Sequence, residues 1–262
     1  MKYKNKEARN FGFQPPTIEE SDFWFGSKKL GSVDLNPSGD WKLSLPRFEP
    51  QRKKIETSAC VTYTILSDIE ALEKFQYGTE PNYSDRYIAK LSETDPNSGN
   101  TPKKVCEIIR KYGLVNEEDW SFVDDIGEYY KEIPQELIEK GKKWLEQNDF
   151  GYEWVDADKI DEARKRSPVS VAVYAWSMNE LEEYVRMGNS NHYTLAYNKN
   201  ADGNILVFDS YENPFLKTLA KDHKIEFAQI YTLTKKTPEI KKNFLRVIHN
   251  WFLSLLTKLG IL

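Results

Sequence analysis

The spacing of apolar residues changes near residue 168, and this change limits the folds open to the chain. From Thr57 to that point apolar residues recur mainly at the intervals of amphipathic helices. After it come short runs of β-branched and aromatic residues bounded by polar turns, which are typical of buried strands. Helices that come first and strands that follow predict an α+β fold rather than alternating β-α-β units.

Five helices are predicted in the first part of the chain. In the first of them Thr57 or Ser58 can act as the cap. Thr101 can cap the third, which has proline at its first position and glycine after its end. The predicted helices run from Thr57 to about Phe75, from Ser84 onward, from Pro102 to Tyr112, over 134–148 and over 157–166.

The second part is predicted to be mainly strands. Asp202-Gly203 is a typical hairpin turn, so the strands on either side of it should pair antiparallel. A short helix is predicted over 177–187. The predicted strands are Val169–Trp176, His192–Tyr197, Ile205–Asp209 and Phe227–Thr234.

Composition excludes several classes of function. The net charge of the 262-residue chain is −4 with no long run of one sign, so we expect no nucleic-acid partner. The N-terminus lacks the apolar stretch of a signal peptide, and no apolar run reaches the length of about 18 residues that a membrane span needs. With only two cysteines, the chain is expected in a reducing compartment, the cytoplasm.

Cys60, His192 and Asp209 occur in an order that suits nucleophilic catalysis by a thiol. Cys60 lies in the first turn of its predicted helix, where unpaired N–H groups favour a thiolate. The hairpin would bring Asp209 close to His192, so that the carboxylate could orient the imidazole. Each residue also has an ordinary structural interpretation: a buried core thiol, a half-buried histidine and an aspartate that caps a turn.

Several segments, in chain order, resemble papain-like cysteine peptidases. They are SACVTYTI, TDPNSGNTPKKVCEIIRKYGLVNEEDW, SPVSVAVYAW, NHYTLAYNKNADGNILVFDSY and FAQIYTLT. In that family the histidine and its orienting partner lie about 130–150 residues beyond the nucleophile, and the spacing from Cys60 to His192 agrees.

The resemblance implies a two-lobed fold with a helical left lobe and an antiparallel β-sheet right lobe, and with Cys60 and His192 on opposite walls of a cleft. It also implies that Asp209 stands where the family has an orienting asparagine, and that Tyr211 stands where the family has a shielding tryptophan. Gln51 is the best match to the oxyanion-hole glutamine, although it lies further from Cys60 than in the family. The implied peptidase domain is 46–235, preceded by an extended segment, 1–45, with a short strand near Gly31–Leu35.

The predicted activity is hydrolysis of peptide bonds in a peptide or protein substrate, by the catalytic residues Cys60, His192, Asp209 and Gln51. Two other functions stay open: a catalytically weak binding or scaffold protein, and an acyl transferase or amide hydrolase with the same three residues. No C-x-x-C pair, phosphate loop or glycine-rich dinucleotide motif is present, so no cofactor or metal is expected. A calcium-loop pattern at Asn198–Asp209 runs through an apolar strand and is better explained as a hairpin.

The C-terminal segment, 237–262, is predicted to be an amphipathic helix. Pro238 can begin it, and an apolar stripe continues from Ile240 to Leu259. Its basic polar side suits either docking on the domain or a partner chain, or binding to a membrane surface.

Overall fold

The computed structural model describes residues 11–26, 35–211 and 214–236. The predicted C-terminal helix, 237–262, lies outside the described residues. So does most of the predicted strand near Gly31–Leu35, of which only Leu35 is described, in a bend.

Helices fill the first half of the described chain, as predicted. Ser84 and Thr101 each cap a helix by accepting a hydrogen bond from the backbone N–H three residues later. The six helices are α1 (Cys60–Tyr77), α2 (Asp85–Leu91), α3 (Pro102–Tyr112), α4 (Ile126–Tyr129), α5 (Gln135–Gln147) and α6 (Ile160–Ala163). Short 3-10 turns occupy Lys42–Ser44, Glu117–Asp119 and Ala157–Lys159.

The predicted cap of the first helix is wrong. The helix begins at Cys60, and Ala59 precedes it without a side-chain cap. The Thr57 hydroxyl donates instead to the Gln51 carbonyl, and the Ser58 hydroxyl donates to the Pro96 carbonyl. Both hydroxyls therefore join loops together rather than closing the helix.

The described residues form eight strands, six of them in one antiparallel sheet with the order β1-β8-β2-β5-β6-β7. The prediction missed β1 and β7. The strands are β1 (Asn148–Trp154), β2 (Val169–Val173), β3 (Ser177–Met178), β4 (Tyr184–Val185), β5 (His192–Lys199), β6 (Ile205–Phe208), β7 (Leu216–Thr218) and β8 (Ala228–Lys235).

The helix predicted over 177–187 is wrong, because β3 and β4 form a small hairpin there. The Asn179 side chain accepts hydrogen bonds from the backbone N–H groups of Leu181 and Glu183. Glu182 adopts a left-handed conformation, with φ of 60°. An asparagine that bonds to the backbone ahead of it favours a turn over a helix.

The first helix joins the two halves of the molecule. It is buried on nearly all sides, and Cys60, Ile65 and Ile69 are fully inaccessible. The Thr64 hydroxyl donates to the Tyr193 carbonyl of β5 at 2.9 Å, which fixes the start of α1 against the sheet. The class is α+β as predicted, with helices on one side of α1 and an antiparallel sheet on the other.

Glu117 makes the stability of the helical half sensitive to pH. Burial raises the pKa of this carboxyl from 4.5 to about 7, although it accepts the Phe122 N–H. The folded state therefore holds a proton that the unfolded state releases, and stability falls as pH rises from about 4.5 to 7. Over this pH range we expect the free energy of unfolding of Glu117→Gln to fall by about 1 kcal/mol less than that of the wild type, with solvent screening allowed for. Urea unfolding of both proteins at pH 4.5 and 7.5 measures the difference; an equal fall in both would contradict it.

Candidate active site

Cys60 is the first residue of α1, and its thiol lies against the sheet. The thiol is fully buried and takes a hydrogen bond from the main chain of Tyr193, the residue after His192. Burial raises the pKa of Cys60 well above its usual value, and the carboxylates of Asp209 and Glu56 add to the rise. The expectation of an ionised thiol is therefore wrong for this closed arrangement. Removal of the thiol from water raises its pKa by more than the N–H groups at the start of the helix lower it.

His192 and Asp209 are in direct contact, as the hairpin predicted. His192 opens β5, and Asp209 follows the last residue of β6, which pairs with β5. The Nε2 atom of His192 lies 2.5 Å from Oδ1 of Asp209, and both side chains are fully buried. The Nδ1 atom of His192 is buried and has no hydrogen-bond partner among the described residues. One ring nitrogen is thus held by the carboxylate, while the other is left unpaired by the described residues.

The second oxygen of Asp209 is bound by a residue that the sequence did not single out. The Nζ atom of Lys217, on β7, lies 2.6 Å from Oδ2 of Asp209. Burial alone would raise the pKa of Asp209, but His192 and Lys217 together hold it below its usual value. The carboxylate therefore stays ionised in the protein interior.

Three aromatic rings surround the imidazole. The ring centroids of Phe11, Trp176 and Tyr211 lie 5.9, 5.5 and 5.3 Å from that of His192. This cage limits rotation of the ring and excludes water from its contact with Asp209. Tyr211 thus lies in the shielding position that the resemblance implies for it.

Gln51 lies beside this group and is fully buried. Its Nε2 atom is 2.9 Å from the Tyr211 hydroxyl and 3.3 Å from the Phe11 carbonyl oxygen. Its Oε1 atom accepts the Ser210 hydroxyl at 2.7 Å. The Glu56 carboxylate accepts from both Gln51 and Tyr211, so Gln51 has a fixed orientation with its amide directed toward a main-chain carbonyl.

The N-terminal segment Phe11–Gln14 covers the site and bridges both halves of the molecule. On the sheet side the Phe11 N–H donates to the Asn191 carbonyl at 2.9 Å. On the helical side Asn100 donates to the Gly12 carbonyl and accepts from the Gln14 N–H, both at 2.9 Å. A Cβ atom on Gly12 would lie 2.1 Å from the Ser58 carbonyl oxygen, so only glycine fits there.

The structure thus brings His192, Asp209 and Gln51 into one buried group beside the strand that the Cys60 thiol contacts. Sequence reasoning missed Phe11, Glu56 and Lys217. Phe11 reaches Gln51 from 40 residues away, and Glu56 joins Gln51 to the distant Tyr211. Lys217 is close to Asp209 in sequence but lies in a short strand that was not predicted. Cys106 belongs to the core, where its thiol lies 3.9 Å from the Gln229 amide oxygen. Within residues 11–26, 35–211 and 214–236, no cluster of acidic, histidine or cysteine side chains suits a metal ion. No helix in those ranges has the length and apolarity to cross a membrane.

No protein-family model and no curated protein matches the chain by sequence. Solved structures do match it. The cysteine protease and lectin-like domains of Cwp84, a surface layer associated protein of Clostridium difficile, align with a TM-score of 0.64 at 15% identity, over 89% of this chain and 58% of that one. Digestive procathepsin L 3 of Tenebrio molitor aligns with a TM-score of 0.56 at 12% identity, over 81% and 74% of the two chains.

A third match, the bromelain protease from Ananas comosus in complex with the E64 inhibitor, has a TM-score of 0.53 at 15% identity and covers 74% of this chain and 97% of that one. Similarity at this identity establishes architecture and not activity. The order of helices and strands, the central buried α1 and these matches together show that the chain has the papain-like cysteine protease fold.

Proposed function

We propose that this protein is a cysteine peptidase that hydrolyses peptide bonds through Cys60, His192 and Asp209. The observation that carries the proposal is the state of the imidazole. Its Nε2 atom is held by Asp209 at 2.5 Å, while its Nδ1 atom has no partner among the described residues. A ring held in this way can accept a proton at one nitrogen, as a general base must.

In the proposed reaction the substrate replaces the segment Phe11–Gln14 in the cleft. The Cys60 thiol gives its proton to Nδ1 of His192, and the sulfur attacks the carbonyl carbon of the scissile bond. Gln51 Nε2 and the Cys60 N–H stabilise the oxyanion. His192 then protonates the departing amine, which leaves a thioester on Cys60. Water, activated by His192, hydrolyses this thioester and regenerates the thiol.

Peptide-library digestion tests the proposal in a Gly12→Ala background, where the added methyl group is too close to Ser58 for the cover to stay in place. We expect cleavage that falls by about a thousandfold or more with Cys60→Ala or His192→Ala. Cys106→Ala is the matched control, because it removes a buried core thiol that contacts Gln229. Cleavage that survives Cys60→Ala, or a folded Gly12→Ala protein that cleaves no peptide, would refute the proposal.

A second candidate, a catalytically weak binding or scaffold protein, is favoured by the sealed thiol. Cys60 is fully buried and its pKa is raised, so the closed protein holds a poor nucleophile. Iodoacetamide labelling against pH separates the two candidates in the Gly12→Ala protein. In a peptidase, Cys60 should react with iodoacetamide well below pH 8, and this reactivity should be lost with His192→Ala. In a scaffold, Cys60 should react like an ordinary thiol whether or not His192 is present.

A further inference from the structure

Lys217 is a buried lysine that the proposed reaction does not use. It is 5% exposed and projects from β7 into the group around Asp209. Besides Asp209, its ammonium donates to the main-chain carbonyls of Tyr211 and Pro214. It also lies over the Trp176 ring, 5.1 Å from the centroid. Every ammonium hydrogen thus has a protein partner, so Lys217 has one defined position.

Lys217 shares the Asp209 carboxylate with the His192 ring. One carboxylate oxygen contacts the imidazole and the other contacts the ammonium, at 2.5 and 2.6 Å. Since the ammonium carries the opposite charge and contacts the same carboxylate, it offsets part of the negative charge that the imidazole faces. An unshielded aspartate would bind the imidazolium far more strongly and make it a poorer proton donor to the leaving amine.

We propose that Lys217 is a positioning residue that offsets the charge of Asp209 and thereby sets the proton affinity of His192. Lys217 also ties the chain after β6, which carries Asp209 and Tyr211, to β7. The inference rests on the proposed function, because the proton affinity of His192 matters only if this ring transfers protons.

The other ionisable groups around His192 and Asp209 do not replace this charge. Glu56 is acidic, and the thiol and phenols that face the site are neutral or negative, so among the described residues Lys217 is the one ammonium or guanidinium that faces Asp209. The described ionisable side chains that face the pair are Cys60 and Glu56 from the helical side, and Tyr184, Tyr211 and Lys217 from the sheet side.

Imidazole titration by proton–nitrogen NMR on the full chain tests the inference without any need for activity. The chain has three histidines, and His192→Ala identifies the relevant signal by its loss. We expect Lys217→Met to raise the pH at which His192 loses its proton by about one to two units, since a unit charge is removed a few ångströms away in a weakly screened site. An unshifted titration in a folded Lys217→Met protein would overturn the inference.

The double variant Asp209→Asn/Lys217→Met keeps the test decisive if Lys217→Met does not fold, because it leaves no unpaired buried charge. If the lysine offsets part of the aspartate charge, the double variant should lower the pH at which His192 loses its proton by less than Asp209→Asn alone does. If Lys217 has no influence, the two variants should titrate alike, and the inference fails.

The outcome is separable from that of the proposed function. If Cys60 never becomes reactive but the His192 titration responds to Lys217 as described, the peptidase proposal fails and the role of Lys217 stands. If the protein cleaves peptides but Lys217→Met changes neither the pH profile nor the His192 titration, the peptidase proposal stands and the role of Lys217 fails.

Discussion

Replacing Gly12 by alanine is expected to raise the rate of Cys60 alkylation at pH 7 by about ten- to a hundredfold. A Cβ atom at this position would lie 2.1 Å from the Ser58 carbonyl oxygen, and the φ of 109° already disfavours any side chain. The segment Phe11–Gln14 must therefore leave the cleft. Water would then reach the thiol, and each unit by which its pKa falls raises the thiolate fraction about tenfold.

Gly26→Ala is the matched control for this experiment. Gly26 also has a left-handed conformation, with φ of 78°, but a Cβ atom there would meet nothing within 4 Å. The Gly26→Ala substitution therefore imposes similar backbone strain on the same N-terminal region without a steric clash. Labelling of Cys60 in Gly26→Ala should stay at the wild-type rate.

Cys106 reports whether faster labelling comes from an open cleft or from unfolding. It is fully buried in α3, so it should stay unlabelled while Cys60 reacts. Peptide mapping after iodoacetamide treatment gives both rates in one sample. Equal labelling of the two cysteines would indicate unfolding. A Cys60 rate as slow in Gly12→Ala as in the wild type would show that the segment does not control access.

Local sequence signals predicted those parts of the fold that local chemistry determines. The Thr101 cap, the proline after it and the glycine at 113 place α3 to the residue. The Asp202-Gly203 turn sets the β5–β6 hairpin, and that hairpin alone brings Asp209 to His192. Antiparallel pairing across a short turn is a local event, which is why the contact between these two residues could be expected from sequence.

The parts that could not be predicted depend on contacts between distant segments or on a short strand that has no clear sequence signal. Phe11 covers the site through bonds to Asn191 and Gln51, and nothing in its own neighbourhood marks it for this place. Lys217 lies in a three-residue strand whose single lysine is usually expected to face solvent. The predicted direction of the Cys60 pKa shift was wrong for the same reason. The sequence indicates that Cys60 begins a helix, but it does not indicate that Phe11–Gln14 covers the site.

The resemblance to papain-like peptidases predicted a contact that local sequence signals could not. It implied that Gln51, although it lies further from Cys60 in sequence than the family's glutamine does, belongs beside the proposed catalytic residues. The structure places its amide 2.9 Å from the hydroxyl of Tyr211, the residue that packs on His192. Its role as the oxyanion donor stays a prediction, which the following experiment addresses.

Gln51→Ala is expected to lower kcat/KM for peptide cleavage by about a hundred- to a thousandfold in the Gly12→Ala background, if the proposed function holds. The Gln51 amide already points at a main-chain carbonyl, that of Phe11, at 3.3 Å. A substrate carbonyl in the same place would receive this hydrogen bond more strongly as its oxygen becomes negative. Loss of one such donor costs a factor of this size, mainly in kcat.

Ser210→Ala is the control that separates this role from support of the structure. It removes the hydroxyl that holds Oε1 of Gln51 and leaves the Nε2 donor in place. If Gln51 is the oxyanion donor, Ser210→Ala should cost less than about tenfold, since the Glu56 carboxylate still orients the amide. Equal losses in the two variants, or a Gln51→Ala loss confined to KM, would assign Gln51 to substrate binding or packing. The oxyanion would then be held by the Cys60 N–H and another donor, because a negative oxygen in a water-free cleft requires compensation from the protein.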